Sequence, residues 1–287
     1  MDMDGTLLDS NSKIPLETKE ALIHLQQKGI KVVLASGRSV SRLEDIIQEL
    51  KLRQYGGFCV EINGMAFYDA GTNRRVVLQR MDTKDAKELF QACMDLDGEV
   101  MAFYDDGLFD YHSSRLHDVK EKLRKEWKVD EDYPWTGGPW EWLMDLRIGY
   151  PHITYIDEVD QIDHVVNKVQ IMEDPERMEE IYSILQQEFG DRFELYRTCP
   201  RLIEIMPKGV CKGVGLEKLM NQQGWTKEEI VVFGDGENDL SMFPYSNYSV
   251  AMGQSEDFVK KKADIVTLTN DQQGVLHILK QLFPNEL

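Results

Sequence analysis

The chain begins Met1-Asp2-Met3-Asp4-Gly5-Thr6-Leu7-Leu8-Asp9, which places two carboxylates one residue apart in front of a Gly-Thr turn. In an extended segment, side chains two positions apart project to the same side, so we expect Asp2 and Asp4 to address one small site together. One carboxylate could act as a nucleophile or a metal ligand while the other transfers protons. A turn of this kind normally follows a buried strand, but the sequence has only Met1 in front of Asp2.

Strands and helices alternate in the N-terminal and C-terminal parts of the chain, and the segment between these parts has another pattern. Apolar spacing predicts helices over 16–28, 40–50, 213–223, 239–245 and 273–283 and strands over 30–35, 58–62, 230–233 and 248–251. Strand, turn and helix in repetition are typical of a parallel sheet flanked by helices. The fold class that we predict is therefore α/β, with a Rossmann-like core.

From about residue 82 this rhythm changes. The spacing there predicts helices over 84–96, 116–127 and 175–189, strands over 100–104, 108–111, 165–172, 193–197 and 202–206, and an aromatic loop over 133–140. Such a segment is typical of an inserted α+β domain. We expect a discontinuous core formed by 1–81 and 207–287, and an inserted domain formed by 82–206.

The composition indicates a soluble globular chain: 287 residues, of which 42% are hydrophobic and 29% charged. We find no apolar run long enough to cross a bilayer and no leader that resembles a secretion signal, so we expect cytoplasmic residence. A formal charge of −18 repels nucleic acid and anionic membranes, and we expect neither as a partner. An anionic substrate would need local positive charge. The four cysteines show no zinc spacing and are expected to be free thiols, and the oligomeric state stays open.

Three further segments carry polar residues at strand ends or helix starts, where open α/β sheets hold ligands. Ser36 follows the strand over 30–35, and Gly37 would let backbone amides approach an oxyanion, although the pair alone fits an ordinary turn better. Lys212 precedes a helix and could neutralise a phosphate, although most lysines at helix starts are merely exposed. The last segment is Gly234-Asp235-Gly236-Glu237-Asn238-Asp239, whose oxygen-rich side chains suit magnesium or, alternatively, a helix cap.

Together these segments resemble the haloacid dehalogenase superfamily, which places an Asp-x-Asp motif, a Ser or Thr, a Lys and an acidic Gly-Asp motif in this order. More closely, they look like the Cof-type branch, sugar-phosphate phosphatases with a large type IIB cap between the second and third motifs. The stretches that carry this likeness are Asp4-Gly5-Thr6-Leu7-Leu8, Ser36-Gly37-Arg38, Asn63-Gly64, Pro207-Lys208-Gly209-Val210-Cys211-Lys212-Gly213 and Gly234-Asp235-Gly236-Glu237-Asn238-Asp239-Leu240-Ser241-Met242. The inserted domain would then be the cap that sets substrate specificity.

The resemblance implies a magnesium-dependent phosphatase acting on small phosphate esters, with sugar phosphates as the expected class. Asp2 would form an aspartyl-phosphate, and Asp4 would protonate the leaving group and then activate water. The implied metal residues are Asp2, Asp4 through its backbone carbonyl, Asp235 and Asp239, the last supporting either Lys212 or the metal shell. The implied phosphate-binding residues are Ser36, Gly37, Lys212 and Asn238.

Some assignments stay open. Arg38 and Asn63 are candidate substrate contacts, with a surface ion pair and a simple turn as the alternatives. Three tryptophans, Trp135, Trp140 and Trp142, could line a sugar-binding face or belong to a packed core. Within the superfamily that the chain resembles, a carboxylate at the place of Asp4 looks like ester hydrolysis or phosphotransfer, so a phosphotransferase or phosphomutase on the same fold is the second hypothesis. A protein that binds phosphometabolites without turnover is the third.

The opening turn also carries an expectation about the chain itself. In proteins that this sequence resembles, several apolar residues precede the first aspartate and form the strand that fixes it. We therefore expect the native protein to have residues upstream of Met1. The intact mass of the native protein tests this expectation.

Overall fold

The computed structural model describes the backbone of all 287 residues and every side chain except that of Thr198. The chain divides into two compact units. Unit 1 consists of Met1–Leu78 and Val210–Leu287, and unit 2 is the continuous segment Gln79–Gly209. Among the described helices, none is both long and apolar enough to cross a membrane.

Strands and helices are numbered in chain order. The strands of unit 1 are β1 (Val33–Ala35), β2 (Phe58–Glu61), β3 (Ala66–Asp69), β4 (Arg74–Val77), β11 (Val231–Gly234), β12 (Tyr248–Ala251) and β13 (Ile265–Val266). Its helices are α1 (Leu16–Gln27), α2 (Glu44–Glu49), α3 (Leu52–Tyr55), α7 (Lys212–Gln223), α8 (Asp257–Lys260) and α9 (Gly274–Leu282). Short 3₁₀ helices cover Val40–Leu43, Lys227–Glu229 and Glu237–Tyr245.

Unit 1 contains two sheets. The first has the order β1-β2-β3-β4, with β1 parallel to β2 and the other pairs antiparallel. The second has the order β11-β12-β13 and is parallel throughout. The opening residues lie between these sheets, because Met1 hydrogen bonds to Val33 and Ala35 of β1 while the Asp2 N–H donates to Phe233 O of β11 at 2.9 Å. This pairing places Asp2 at the carboxyl ends of two parallel strands.

Apolar side chains cover both faces of these sheets. Leu34 of β1 belongs to a buried cluster with residues of α1 and α9, whereas its neighbour Ala35 belongs to a second cluster with residues of α7. Alternate residues of a strand point to opposite faces, so the helices lie on both sides of the sheet. Each fully buried Leu, Val or Ile contributes about 1.5–3 kcal/mol to folding.

Unit 2 is built on one six-stranded sheet. Its strands are β5 (Glu99–Phe103), β6 (Gly107–His112), β7 (His152–Tyr155), β8 (Lys168–Met172), β9 (Phe193–Cys199) and β10 (Leu202–Pro207), and its helices are α4 (Thr83–Asp95), α5 (Ser114–Trp127) and α6 (Pro175–Phe189), with a short 3₁₀ helix over Val159–Gln161. The strand order is β7-β6-β5-β8-β10-β9, and every pair except β6 with β7 is antiparallel. One face packs on α4 and α6, and the opposite face carries Met101 and Phe103 under Leu146 and Tyr150.

Several elements differ from the prediction. The strands β3, β4, β7 and β13 were absent from it, and the helix expected over 40–50 is a 3₁₀ turn followed by α2. The helix expected over 239–245 is also 3₁₀, and Pro244 inside it cannot donate an i→i−4 hydrogen bond. The strand expected over 165–172 begins only at Lys168. All four cysteines are free.

Candidate active site

The opening turn is not one continuous extended segment. The segment Met3–Leu7 that follows coils into a tight turn, in which Asp4 keeps an extended ψ of 120° and Gly5 has φ +80°. Both aspartates therefore have extended backbone angles, but the chain coils around Asp4 and does not continue as one extended segment. The Asp2 side chain is buried, whereas the Asp4 side chain is 58% exposed.

Lys212 lies at the centre of the candidate site. It is the first residue of α7, its side chain is 1% exposed, and its Nζ donates to Asp2 Oδ1 at 2.6 Å and to Asp239 Oδ1 at 2.8 Å. Burial alone would lower the pKa of Lys212, but the charges of Asp2 and Asp239 and their hydrogen bonds raise it above its ordinary value. Lys212 is therefore a fixed, buried cation beside Asp2.

The acidic loop after β11 supplies two more carboxylates. Asp239 Oδ2 accepts hydrogen bonds from the N–H groups of Asp235 and Gly236, both at 3.0 Å, and the Thr6 hydroxyl donates to Asp235 Oδ1 at 3.0 Å. Burial raises the pKa of Asp235 to about 8, and the negative charges of Asp2 and Asp239 add to the shift. Burial also raises the pKa of Asp239, with Asp2 contributing and Lys212 opposing.

Asp2, Asp235 and Asp239 form one carboxylate cluster. Each contributes a carboxylate oxygen, and these oxygens lie within 4.8 Å of one another. Carboxylates so close together repel one another, and a hard divalent cation with oxygen ligands would relieve that repulsion. The donor set therefore fits magnesium. The carboxylate of Asp4 is not part of this cluster.

Ser36 and Arg38 lie at the carboxyl end of β1. Ser36 is buried, and its Oγ accepts a hydrogen bond from the Arg38 N–H at 3.1 Å across Gly37. The Arg38 side chain turns to Asp4: its Nε donates to Asp4 Oδ2 at 3.0 Å, and Nη2 donates to Asp4 Oδ1. The ion-pair alternative for Arg38 thus describes what the structure shows, and the partner is the second carboxylate of the opening motif.

Asn63 ties two of the predicted phosphate-binding segments together. The residue is fully buried, its N–H donates to Ser36 O at 3.0 Å, and its Oδ1 accepts from Asn238 Nδ2 at 3.2 Å. Ile62, Asn63 and Gly64 all have positive φ, at +48°, +49° and +93°. Three consecutive left-handed residues are strained, particularly at a β-branched isoleucine, and such strain often occurs at functional sites.

Sequence reasoning assigned no role to several residues that shape this site. Thr6 bonds Asp235, and Gln254 donates through Nε2 to Gly5 O from the loop after β12. Ser241 Oγ accepts from the N–H of Gly213 at 3.0 Å and so joins the acidic segment to α7. Thr6 and Ser241 stand inside quoted motifs, where their hydroxyls were the available signal. Gln254 carries no signal of this kind.

The three tryptophans considered as a sugar-binding face lie in different surroundings. Trp140 is 72% exposed, Trp135 stacks on His117 at 4.5 Å between ring centroids, and the Arg201 guanidinium lies 4.0 Å above the ring of Trp142. None of the three is part of a fully buried apolar cluster among the described residues, although Trp142 packs against one. A sugar-binding role for them stays a prediction.

Comparison with known proteins gives consistent matches over nearly the whole chain. A family model described as haloacid dehalogenase-like hydrolase matches residues 1–140 and 148–279. The chain is 26% identical to the phosphatase YwpJ of Bacillus subtilis strain 168, with 98% of each chain covered. It is also 26% identical to the 5-amino-6-(5-phospho-D-ribitylamino)uracil phosphatase YwtE of that organism, covering 100% of this chain and 98% of the relative. A crystal structure of a haloacid dehalogenase-like hydrolase from Bacteroides thetaiotaomicron matches with a TM-score of 0.76 and 27% identity, over 98% of this chain and 97% of that one.

Proposed function

Because the chain belongs to the haloacid dehalogenase-like hydrolases, we propose that it is a magnesium-dependent phosphatase that hydrolyses small phosphate monoesters through an aspartyl-phosphate on Asp2. One observation carries the proposal: the buried Lys212, the buried carboxylates of Asp2 and Asp239 and the half-buried carboxylate of Asp235 converge at the carboxyl ends of β1 and β11. In an open α/β sheet, this edge is where ligands bind.

Asp2 is the proposed nucleophile. Lys212 Nζ donates a hydrogen bond to its Oδ1 at 2.6 Å, which holds the carboxylate in place. No described side chain donates to Oδ2, so this oxygen is available to attack phosphorus. In the first step the Asp2 carboxylate attacks phosphorus, an oxygen–phosphorus bond forms on Asp2, and the bond from phosphorus to the leaving oxygen breaks. A covalent intermediate divides one difficult displacement into two easier ones.

Lys212 is proposed to bind the transferred phosphoryl group with Ser36, Gly37 and Asn238. Its buried ammonium provides positive charge where the phosphoryl oxygens gather negative charge, in a chain whose formal charge is −18. Both oxygens of Asp239 already accept hydrogen bonds, from Lys212 and from two backbone N–H groups. Asp239 therefore positions Lys212 rather than contacting the substrate.

The carboxylate cluster is the proposed magnesium site. Asp2 and Asp235 would hold the ion through their side chains and Asp4 through its backbone carbonyl. Asp235 Oδ2 is available for this role because no described group donates a hydrogen bond to it. When bound, magnesium supplies positive charge that neutralises phosphoryl oxygens. Thr6 orients Asp235 for this role through its 3.0 Å hydrogen bond.

Asp4 is the proposed acid and base. As an acid it gives a proton to the leaving alkoxide in the first step. As a base it then takes a proton from the water that attacks phosphorus, which breaks the bond from Asp2 to phosphorus and releases inorganic phosphate. The exposure of its side chain gives it access to protons from bulk water.

Sugar phosphates and related polyol phosphates are the proposed substrate class. The basis is the activity named for the relative YwtE, a phosphatase of a uracil derivative with a phosphorylated ribityl chain. Unit 2, with its aromatic side chains on and near the surface, is the proposed source of specificity. A screen of alkyl phosphates under initial-rate conditions would identify the preferred ester.

The first test measures hydrolysis of p-nitrophenyl phosphate. We expect the purified protein to release phosphate and p-nitrophenol in equal amounts with magnesium chloride and to stop in excess EDTA. We expect Asp2→Asn to lower kcat at least about 10⁴-fold, because an amide is a poor nucleophile. Asp9→Asn is the matched control, since Asp9 accepts hydrogen bonds from the nearby residues Asn11 and Lys13 and lies outside the cluster.

The outcomes separate the hypotheses. Turnover that survives Asp2→Asn would contradict the mechanism. Less phosphate than p-nitrophenol in the presence of a sugar acceptor would indicate transfer instead of hydrolysis. Tight binding of inorganic phosphate with no turnover on any ester would identify a binding protein.

A further inference from the structure

Arg38 occupies both oxygens of Asp4. Its Nε donates to Oδ2 at 3.0 Å and Nη2 donates to Oδ1, which is the bidentate arrangement of a guanidinium with a carboxylate. The other acidic side chains of the site face Lys212, Thr6 or backbone N–H groups. Asp4 alone among them is paired with an arginine, and it alone lies largely in solvent.

This pairing conflicts with the role of Asp4 in the first step. A carboxylate that accepts two hydrogen bonds from one guanidinium has both of its oxygens occupied. A general acid must instead carry a proton and have that oxygen free to face the leaving group. The arrangement in the structure is therefore a resting arrangement, and the pair has to open before the leaving group can be protonated.

A substrate phosphate can open the pair. The backbone of Arg38 is fixed, because its N–H donates to Ser36 Oγ at 3.1 Å and its carbonyl accepts from the Ile62 N–H at 3.1 Å. Its long side chain is 29% exposed and is attached beside the proposed phosphate-binding residue Ser36. A phosphate dianion offers the same bidentate acceptor geometry as a carboxylate and carries more charge.

We propose that Arg38 is a positioning residue for Asp4 that exchanges partners when substrate binds; this rests on the proposed phosphatase function. In the free protein Arg38 pairs with Asp4. When the phosphate group enters, the guanidinium transfers its two hydrogen bonds from Asp4 to phosphate oxygens. An oxygen of Asp4 is then free to face the leaving oxygen of the ester. When inorganic phosphate leaves, Arg38 returns to Asp4.

The exchange makes Asp4 and phosphate competitors for one guanidinium, and a binding cycle measures that competition. Calorimetric titration with inorganic phosphate in magnesium chloride would be done on the wild type, Asp4→Asn, Arg38→Met and the double variant. Because the Arg38–Asp4 pair must break before Arg38 can bind phosphate, a partly exposed pair of this kind weakens phosphate affinity by up to about fivefold. We expect Asp4→Asn to tighten phosphate binding by roughly that factor, because Arg38 no longer has to leave a charged partner.

The double variant decides between the exchange and a simple charge effect. We expect Arg38→Met to weaken phosphate binding, and we expect Asp4→Asn to change nothing further in the Arg38→Met background. If Asp4→Asn tightens binding equally in both backgrounds, Asp4 only repels phosphate and the exchange is wrong. Unchanged affinity in Asp4→Asn alone also overturns it.

A matched control and a rate measurement complete the test. Arg53→Met removes an equivalent bidentate pair, in which Arg53 donates to both oxygens of Glu44 at 2.6 and 2.7 Å outside the site, and should leave phosphate affinity unchanged. In the rate measurement Arg38→Met should raise KM for both p-nitrophenyl phosphate and glycerol 3-phosphate, whereas Asp4→Asn should lower kcat mainly for the alkyl ester. The calorimetric cycle measures phosphate binding and needs no turnover. If the effects of Asp4→Asn and Arg38→Met on phosphate affinity are non-additive but the protein hydrolyses no ester, the proposed phosphatase function is wrong and the exchange of partners by Arg38 stands. An additive cycle in an active phosphatase would refute the exchange alone.

Discussion

Gly5 allows the opening turn to lie against the acidic loop. Its φ of +80° is a conformation that residues with a side chain rarely adopt, and a Cβ at this position would lie 2.4 Å from Asp235 Oδ2. Backbone conformation and lack of a side chain are thus both required at this residue. The nearest atoms that an added Cβ would meet all belong to Asp235, so the steric conflict is confined to the carboxylate cluster.

Gly5→Ala should therefore damage the site more than the fold. We expect a loss of about 1–2 kcal/mol from the left-handed backbone and a fall in kcat of at least about tenfold from displacement of Asp235. Gly29→Ala is the matched control: Gly29 also has positive φ, at +94°, but nothing lies within 4 Å of its added Cβ. It should lose similar stability in urea denaturation with kcat unchanged. Equal kcat in the two variants would mean that the turn tolerates the displacement.

At the same scale, the sequence predicted which residues meet but not how they pair. Asp2, Lys212 and Asp235 were found because each stands at a strand end or helix start, where chain order and fold class decide position. The turn of Asp4 towards Arg38 depends on the dihedral angles at Asp4 and Gly5. Side-chain partners 34 residues apart leave no local pattern in a sequence.

At the scale of secondary structure, the sheet of unit 2 buries charged side chains on one face. Glu99 of β5, Asp110 of β6 and Lys120 of α5 are each at most 1% exposed. Lys120 pairs with Glu99 at 2.5 Å, and the Gly137 N–H donates to Glu99 Oε1 at 2.7 Å. Neither oxygen of Asp110 has a hydrogen-bond partner among the described groups. Burial raises the pKa of Asp110 well above its ordinary value, with the charge of Glu99 adding to the shift and Lys120 opposing it.

Asp110 should make unit 2 less stable as the pH rises. Below about pH 4 the carboxyl is protonated in both folded and unfolded chains; above it only the unfolded chain releases the proton, so stability falls by at most about 1.4 kcal/mol per pH unit. Asp110→Asn keeps the neutral form and should lose this slope, becoming more stable than the wild type towards pH 8 in urea denaturation. Asp145→Asn is the control of opposite sign, because hydrogen bonds from Arg147 lower the pKa of Asp145. The free energy of unfolding that Asp145→Asn loses relative to the wild type should become smaller as the pH falls. If the free energies of unfolding of Asp110→Asn and the wild type change in parallel with pH, the prediction is wrong.

Long amphipathic elements were predictable, whereas short and polar ones were not. The helix over 175–189 was predicted with the observed bounds, because its apolar residues recur at helical spacing after a proline. The strands β4 and β7 were missed because their residues are mostly exposed or half-buried, so they show no buried apolar run. The strand β13 has only two residues. Its pairing with β12 is a tertiary contact that local sequence does not encode.

At the scale of the whole molecule, the predicted family and the α/β class with a parallel-stranded core are confirmed. Magnesium, the substrate class and cytoplasmic residence stay predictions, since each depends on a ligand or a compartment rather than on the fold. The predicted boundaries, 81/82 and 206/207, also stay predictions about domains; the compact units of the structure meet at 78/79 and 209/210. All the proposed catalytic and phosphate-binding residues lie in unit 1, whose two segments both contribute to the site.

The two units should differ in their capacity to fold alone. Unit 2 is one continuous segment with a complete six-stranded sheet and its own apolar clusters, so a fragment of residues 79–209 should fold. Four of the five tryptophans lie in this segment, and their fluorescence should report one cooperative urea transition with a free energy of unfolding of roughly 5 kcal/mol or more. The first segment of unit 1, residues 1–78, is the matched fragment and should stay unfolded, because α7, α9 and β11 supply the other half of its core. A non-cooperative transition for 79–209, or a cooperative one for 1–78, would show that the units do not fold independently in this way.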